Sequence, residues 1–170
     1  MQILEYPFIW EWCRVHGAEL DERDDATVRL RDDPGLVHRA QLVFAPHGPS
    51  GYEPAVASAI LDALGGWTEC LLWVTGWGVW PSSEDWPRYY ALRARHGQRL
   101  SIDVAPGHLA TPADAAEFSD LLLQVLEQGW DAVLLPAHDV RVLPLRVAIS
   151  HDGWAEVHAA EPVELAVAGL

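Results

Sequence analysis

The stretch that decides the fold is Gly66-Trp67-Thr68-Glu69-Cys70-Leu71-Leu72-Trp73-Val74, residues 66–74, in which a glycine leads into an apolar run. The same order returns 63 residues later as Gly129-Trp130-Asp131-Ala132-Val133-Leu134-Leu135, residues 129–135. A glycine after a helically periodic segment is typical of a helix end, and a continuous apolar run is typical of a strand covered on both faces. The two segments therefore predict buried strands at the centre of an α/β domain.

Between these two strands the sequence alternates between helical and extended patterns. Residues 84–96 predict a helix and residues 100–104 a short strand. Thr111-Pro112-Ala113-Asp114 has the cap, first-turn proline and acid that begin a helix. This strand–helix–strand–helix–strand order over residues 68–136 is typical of right-handed crossovers between parallel strands. We therefore expect a mixed sheet with a parallel βαβαβ middle.

The flanking segments extend this sheet at both ends. Residues 6–16 predict an N-terminal helix that ends at Gly17, and residues 27–31 and 38–44 predict a β-hairpin around the turn Asp33-Pro34-Gly35. Residues 140–149 and 154–158 predict a closing antiparallel hairpin. Because no linker or low-complexity segment divides the chain, we expect residues 1–170 to form one compact α/β domain, a layered sandwich with an α+β tendency.

The composition is strongly acidic, since 25 aspartates and glutamates face 11 basic side chains, all arginine, for a formal charge of −14. Binding to nucleic acid or to an anionic membrane needs clustered basic side chains, and here they are few and scattered. The charge fits plain solubility, and it also fits a basic protein partner attracted by electrostatic steering. We therefore expect no nucleic acid on a basic face and no membrane contact.

The residue types that are missing or rare indicate the source of the gene and the cell compartment of the protein. The chain has no lysine and no asparagine, whose codons are A-rich, so we expect a bacterial gene of high G+C content. No uncharged run is long enough for a membrane span, and the first residues lack the basic region of a secretory signal. The two cysteines, Cys13 and Cys70, have no metal-ligand spacing and predict buried thiols in a reducing cytoplasm.

The sequence contains none of the common catalytic motifs, such as GxGxxG, the P-loop, HExxH, GxSxG or CxxC. No cofactor is therefore expected. The predicted topology still places a site where the carboxyl ends of parallel strands meet, with residues 75–82, 106–108 and 136–139 gathered at one rim. The binding candidates there are Trp77, Trp80, Asp103, His108 and His138, and the catalytic candidates are His108, His138 and Asp139.

Each of these residues also has a structural interpretation. Trp77 and Trp80 can form a lid on the core, and the two histidine-containing segments can be turns. Weaker candidates for metal ligands are His151 and Asp152, which form a second His–Asp pair, and Glu156 and His158, which share one face of a predicted strand. If residues 140–150 form one extended strand, the pairs His138-Asp139 and His151-Asp152 lie more than about 30 Å apart, and only a sharp bend at Pro144 would let them share one metal ion.

Three functions follow from these observations. The first is a non-catalytic, acidic and tryptophan-rich interaction module, for instance a neutraliser of a basic toxin or an accessory subunit; its nine tryptophans are typical of cores and interfaces. The second is a small hydrolase or metal-assisted enzyme that uses the rim histidines as acids, bases or ligands. The third is a small-ligand sensor with a pocket lined by Trp77 and Trp80.

Overall fold

The computed structural model describes residues 1–22, 28–44, 52–78, 85–139, 141–165 and 167. Its helices are α1 (Tyr6–His16), α2 (Tyr52–Leu64), α3 (Trp86–Arg95) and α4 (Ala115–Gln128), the last preceded by a 3-10 turn at Pro112–Asp114. Its strands are β1 (Gln2–Leu4), β2 (Leu20–Glu22), β3 (Val28–Leu30), β4 (His38–Val43), β5 (Glu69–Gly76), β6 (Gly107–Ala110), β7 (Asp131–His138), β8 (Arg141–Val142), β9 (Leu145–Ser150) and β10 (Trp154–Ala159).

Eight of the strands form one sheet in the order β1-β6-β5-β7-β9-β10-β4, with β8 pairing with β7 outside this path. Every strand pair in it is antiparallel. The remaining strands, β2 and β3, form a separate antiparallel ribbon. The predicted mixed sheet with a parallel βαβαβ middle over residues 68–136 is therefore wrong, although the protein does combine helices and a sheet as a mixed α/β protein does.

The path between β5 and β6 explains the difference. Trp73 of β5 lies opposite Gly107 at the start of β6, and Cys70 lies opposite Ala110 at its end. Helix α3 and residues 96–106 thus leave and return at the same end of β5, so they do not carry the chain back along the sheet as a parallel crossover does. Strand β7 is also antiparallel to β5. Strands β6 and β7 therefore run in the same direction, but they do not pair with each other because β5 lies between them.

Two other predicted strand assignments change and one is confirmed. Residues 100–104 do not form a strand; the extended segment comes later, at β6. The predicted hairpin of residues 27–31 with 38–44 is wrong because β3 pairs with β2, whereas β4 pairs with β10. The C-terminal antiparallel hairpin is present as β9 and β10.

Helices cover the sheet on both faces, since alternate residues of β5 contribute to two cores. Cys70, Leu72 and Val74 pack against α2, α3 and α4, whereas Leu71 and Trp73 pack against α1. The even alternation reflects the two-residue period of side chains in a strand. No helix among the described residues is both long and apolar enough to cross a bilayer.

The two cysteines lie on opposite faces of this sheet. Cys70 belongs to the core under α2, α3 and α4, and Cys13 of α1 belongs to the core on the other face. Both are buried free thiols, and burial raises the pKa of each because it disfavours the thiolate, to about 12 for Cys13. The prediction that both are buried hydrophobic side chains is confirmed.

Candidate functional site

The antiparallel sheet separates the residues that the sequence placed at one rim. Trp77 follows the last residue of β5, and His108 lies on β6 opposite Leu72. His138 ends β7 beside the start of β5, because Glu69 lies opposite Ala137, so it belongs to the other end of the sheet. Asp103 is exposed in a turn, and Trp80 lies outside the described residues.

His108 is fully enclosed by the core and joins a chain of buried polar groups. The Arg93 guanidinium donates to the Tyr89 hydroxyl at 3.2 Å, and this hydroxyl lies 2.9 Å from Nε2 of His108. The hydroxyl and Nε2 share one hydrogen bond, whose donor is set by the tautomer of the imidazole. The same guanidinium donates to the carbonyls of Ala105, Leu100 and Ser101.

Its buried position and the charge of Arg93 keep His108 neutral. Burial and the neighbouring positive charge of Arg93 lower its pKa to about 3, because both disfavour a second proton on the ring. Burial also raises the pKa of Tyr89 to about 12. A fully enclosed neutral imidazole that is bonded to a tyrosine holds β6 against α3, and in this conformation a dissolved substrate does not reach it.

His138 and Asp139 form an exposed turn at the opposite end of the sheet. The imidazole Nδ1 lies 3.3 Å from the carboxylate of Asp139, with both side chains more than half exposed. Asp139 has a positive φ of 55°, and its backbone N–H donates to the Thr68 hydroxyl at 2.9 Å. The structure therefore keeps this pair together, and it places the pair in the tight turn between β7 and β8.

The four weaker metal candidates form two separate pairs. His151 is held by Asp131, whose carboxylate oxygens lie 3.0 and 2.9 Å from Nδ1, and this contact raises the pKa of the imidazole. Asp152 is 3.5 Å from the other ring nitrogen. His158 is buried and contacts Glu156 on the same face of β10, and burial and Arg146 lower its pKa.

No three histidine, cysteine or carboxylate side chains in the described part of the chain come together as a metal site would require. The two pairs also stay apart, because Asp131 holds His151 at the start of β7, whereas Glu156 and His158 lie within β10.

A cluster of five aromatic rings lies where β5 ends, α3 begins and β7 begins. It consists of Trp77, Trp86, Tyr89, Tyr90 and Trp130. The buried indole of Trp130 is the centre, with ring centroids 5.0 Å from Trp77, 5.5 Å from Trp86 and 5.1 Å from Tyr89. Tyr90 contacts Trp86 at 6.1 Å and is 50% exposed. Trp77 and Trp86 are partly exposed, so three of the rings, Trp77, Trp86 and Tyr90, form an aromatic surface over two buried ones.

A cavity of about 560 Å³ lies on the face of the sheet that α1 covers, beside the end of that helix. Residues 17–19, residues 31–36 and the segment from β8 to β9 surround it. Its apolar wall includes Leu36, Leu135, Val142, Leu143 and Leu145, and its polar wall includes Arg31 and Arg146 with the acids Glu19, Asp32 and Asp33. The volume is within the range of small-molecule sites.

Sequence reasoning missed Arg93 and Arg146, because isolated arginines in a chain without lysine carry no motif. It also missed Trp86 and Tyr90, although their four-residue spacing on a predicted helix indicated a shared face. Arg146 alternates with apolar residues in β9, and this alternation was the available signal that its side chain faces away from the core. Comparison of the chain with family models, curated proteins and solved structures found no match.

Proposed function

We propose that this protein is a non-catalytic binding protein that docks a basic protein on the aromatic surface of Trp77, Trp86 and Tyr90. The observation that carries the proposal is the position of these three rings, which are partly solvent-exposed and rest on the buried rings of Trp130 and Tyr89. Tryptophan and tyrosine dominate the binding energy of protein interfaces when they lie in well-packed clusters. Packing from below also fixes the rings before binding, so less side-chain entropy is lost.

The charge distribution favours a basic partner. Of the nine arginine side chains that the structure describes, six are paired with carboxylates of the same chain, and Arg93 is buried among carbonyl groups. Little positive charge is therefore left to offset the acidic excess. Asp85 is exposed directly before Trp86, so a carboxylate borders the aromatic surface. Aromatic faces and carboxylates both attract arginine and lysine side chains.

The geometry gives less support to the enzymatic alternative. Its histidines are dispersed, with His108 enclosed, His138 at a turn and His151 at the other end of β7. None of them lines the cavity. The absence of lysine and asparagine supports a bacterial source, and we propose a cytoplasmic location for the interaction.

Co-expression with the products of the neighbouring genes and purification at low salt tests the proposal. We expect a stoichiometric complex with a basic protein, whose dissociation constant rises as salt screens the charges. In the complex, Tyr90→Ala should weaken binding about 30-fold or more, as loss of an interface hot spot does. Trp86→Ala, at a partly buried ring, should weaken it at least as much.

The matched control is Tyr52→Ala, which removes an exposed tyrosine at the start of α2, outside the aromatic surface. This variant should bind as the wild type does. If no complex forms at low salt, or if Tyr90→Ala and Tyr52→Ala bind equally well, the proposal is wrong.

A further inference from the structure

The guanidinium of Arg146 makes two hydrogen bonds to the part of the chain that the structure describes, fewer than it can donate. It is 14% exposed, donates from Nη1 to the carbonyl of Arg31 at 3.1 Å and donates from Nη2 to Asp32 at 2.9 Å. A guanidinium has five N–H donors, so these two bonds leave more than half of its donors for another acceptor. Arg146 also lines the cavity beside α1, where such an acceptor would lie.

The carboxylate that Arg146 holds is a poor competitor. Asp32 has a side chain that is 95% exposed, so water solvates it almost as well without the arginine. Exposed ion pairs contribute little net stability for this reason. A carboxylate that arrives with an apolar tail would replace Asp32 on Arg146 and would also bury its tail, which Asp32 cannot do.

The apolar wall supplies the place for that tail. Leu36, Val142 and Leu143 line this cavity and are only partly buried, so they leave apolar surface for a tail. Each methylene group that moves from water onto such a wall adds to affinity. The volume of about 560 Å³ accommodates a chain or ring system much larger than a simple inorganic anion.

Arginines gather at this end of the sheet, where the carboxylates Glu19, Asp32 and Asp33 also line the cavity. Arg146 on β9 and Arg39 on β4 both lie opposite His158 of β10, so the two guanidinium groups share one face. Arg31 lines the cavity as well and is paired with Glu19 and Asp21. Three of the nine described arginine side chains thus lie around this cavity or beside it.

We infer that the cavity beside α1 is a binding site for a small amphipathic organic anion, with its carboxylate on Arg146 in place of Asp32 and its apolar part against Leu36, Val142 and Leu143. The inference is independent of the aromatic surface, since no residue is shared between the two. Arg146 binds the carboxylate head group of the ligand, and Asp32 competes with that carboxylate for Arg146.

Titration with octanoate, followed by amide NMR, tests this assignment. We expect saturable shifts at Leu36, Val142 and Leu145, and weaker binding of octylammonium and octanol, which have the same chain without the carboxylate. Arg146→Gln should weaken octanoate binding roughly tenfold or more, whereas Arg99→Gln, an exposed arginine outside the cavity, should leave it unchanged. Asp32→Asn should tighten binding about twofold to fivefold, because the competing carboxylate is removed.

If Arg146→Gln does not fold, the octanoate affinity of Asp32→Asn still tests the site. Equal affinities for octanoate and octylammonium would overturn it, as would octanoate binding that Asp32→Asn leaves unchanged. Shifts confined to residues outside the cavity, or no saturable shift up to the solubility of octanoate, would also overturn it.

Discussion

Arg93 and Arg146 show two ways in which this protein holds a guanidinium group away from water. Arg93 is 1% exposed and is surrounded by acceptors of its own chain, the Tyr89 hydroxyl and the carbonyls of Leu100, Ser101 and Ala105. Arg146 is 14% exposed, and its charged partner, Asp32, lies on an exposed loop. The first group is closed to ligands, whereas the second can exchange its partner.

This difference separates the residues that shape the fold from those that can bind. The bonds of Arg93 attach residues 100–105 to α3, so they fix the segment that returns the chain to the same end of β5. The bonds of Arg146 attach residues 31–32 over the cavity. Loss of the first set should therefore affect folding, and loss of the second should affect binding.

The largest effect is expected for Arg93→Gln. The shorter neutral side chain cannot reach all of these acceptors, and buried carbonyls without donors destabilise a protein strongly. We expect the free energy of unfolding to fall by about 3 kcal/mol, which is a large part of the total stability of a typical domain. Urea denaturation followed by circular dichroism measures this change.

Arg99→Gln is the matched control for that experiment, since it makes the same replacement at an exposed position just after α3. It should leave the free energy of unfolding nearly unchanged. If Arg93→Gln is as stable as the control, the segment of residues 100–105 is held by other contacts, and the comparison between the two arginines fails on its structural side.

A smaller effect is expected from pH, through His108. Its pKa is about 3 in the folded protein and near 6.5 when unfolded, so between these values the unfolded chain binds the proton and the folded chain does not. The stability contributed by His108 is complete above pH 6.5 and declines as the pH falls, by about 1.4 kcal/mol per pH unit. Between pH 6.5 and 5 this amounts to about 2 kcal/mol.

Urea denaturation at pH 6.5 and pH 5 measures how much the free energy of unfolding changes with pH. This change should be smaller in His108→Gln, because the titrating ring is gone. His138→Gln, at the exposed turn, is the control and should retain the slope of the wild type. A His108→Gln variant whose stability changes with pH as steeply as that of the wild type would mean that water reaches the imidazole in the folded protein.

Much of the secondary structure could be predicted from local patterns, whereas the pairing of strands could not. The apolar run at Cys70 predicted β5, and the glycine and tryptophan at residues 129–130 predicted the start of β7. The direction of β6 depends on residues 96–106, whose path is fixed by Arg93. That path is a contact between a helix and a turn, and no periodicity in the sequence reports it.

The predicted position of the candidate site depended on the direction of the strands, which the sequence did not give correctly. Parallel strands would have brought His108 and His138 to one rim, whereas the antiparallel arrangement places His108 opposite the middle of β5 and His138 beside its start. Trp77 is the predicted binding residue that lies in the aromatic surface, because its position next to the end of β5 does not depend on strand direction. A role for it in binding stays a prediction.

The smallest effect is expected for the stability of Arg146→Gln, and it is the sharpest test of the comparison. Asp32 is solvated with or without its partner, and the remaining bond of Arg146 is to one carbonyl, so the melting temperature should fall by less than about 3 °C. Arg93→Gln should lower it by roughly 10 °C on the same scale. Differential scanning calorimetry of both variants measures the two falls in melting temperature. A similar loss in the two variants would show that Arg146 also supports the fold, and its role as an exchangeable donor would then be untenable.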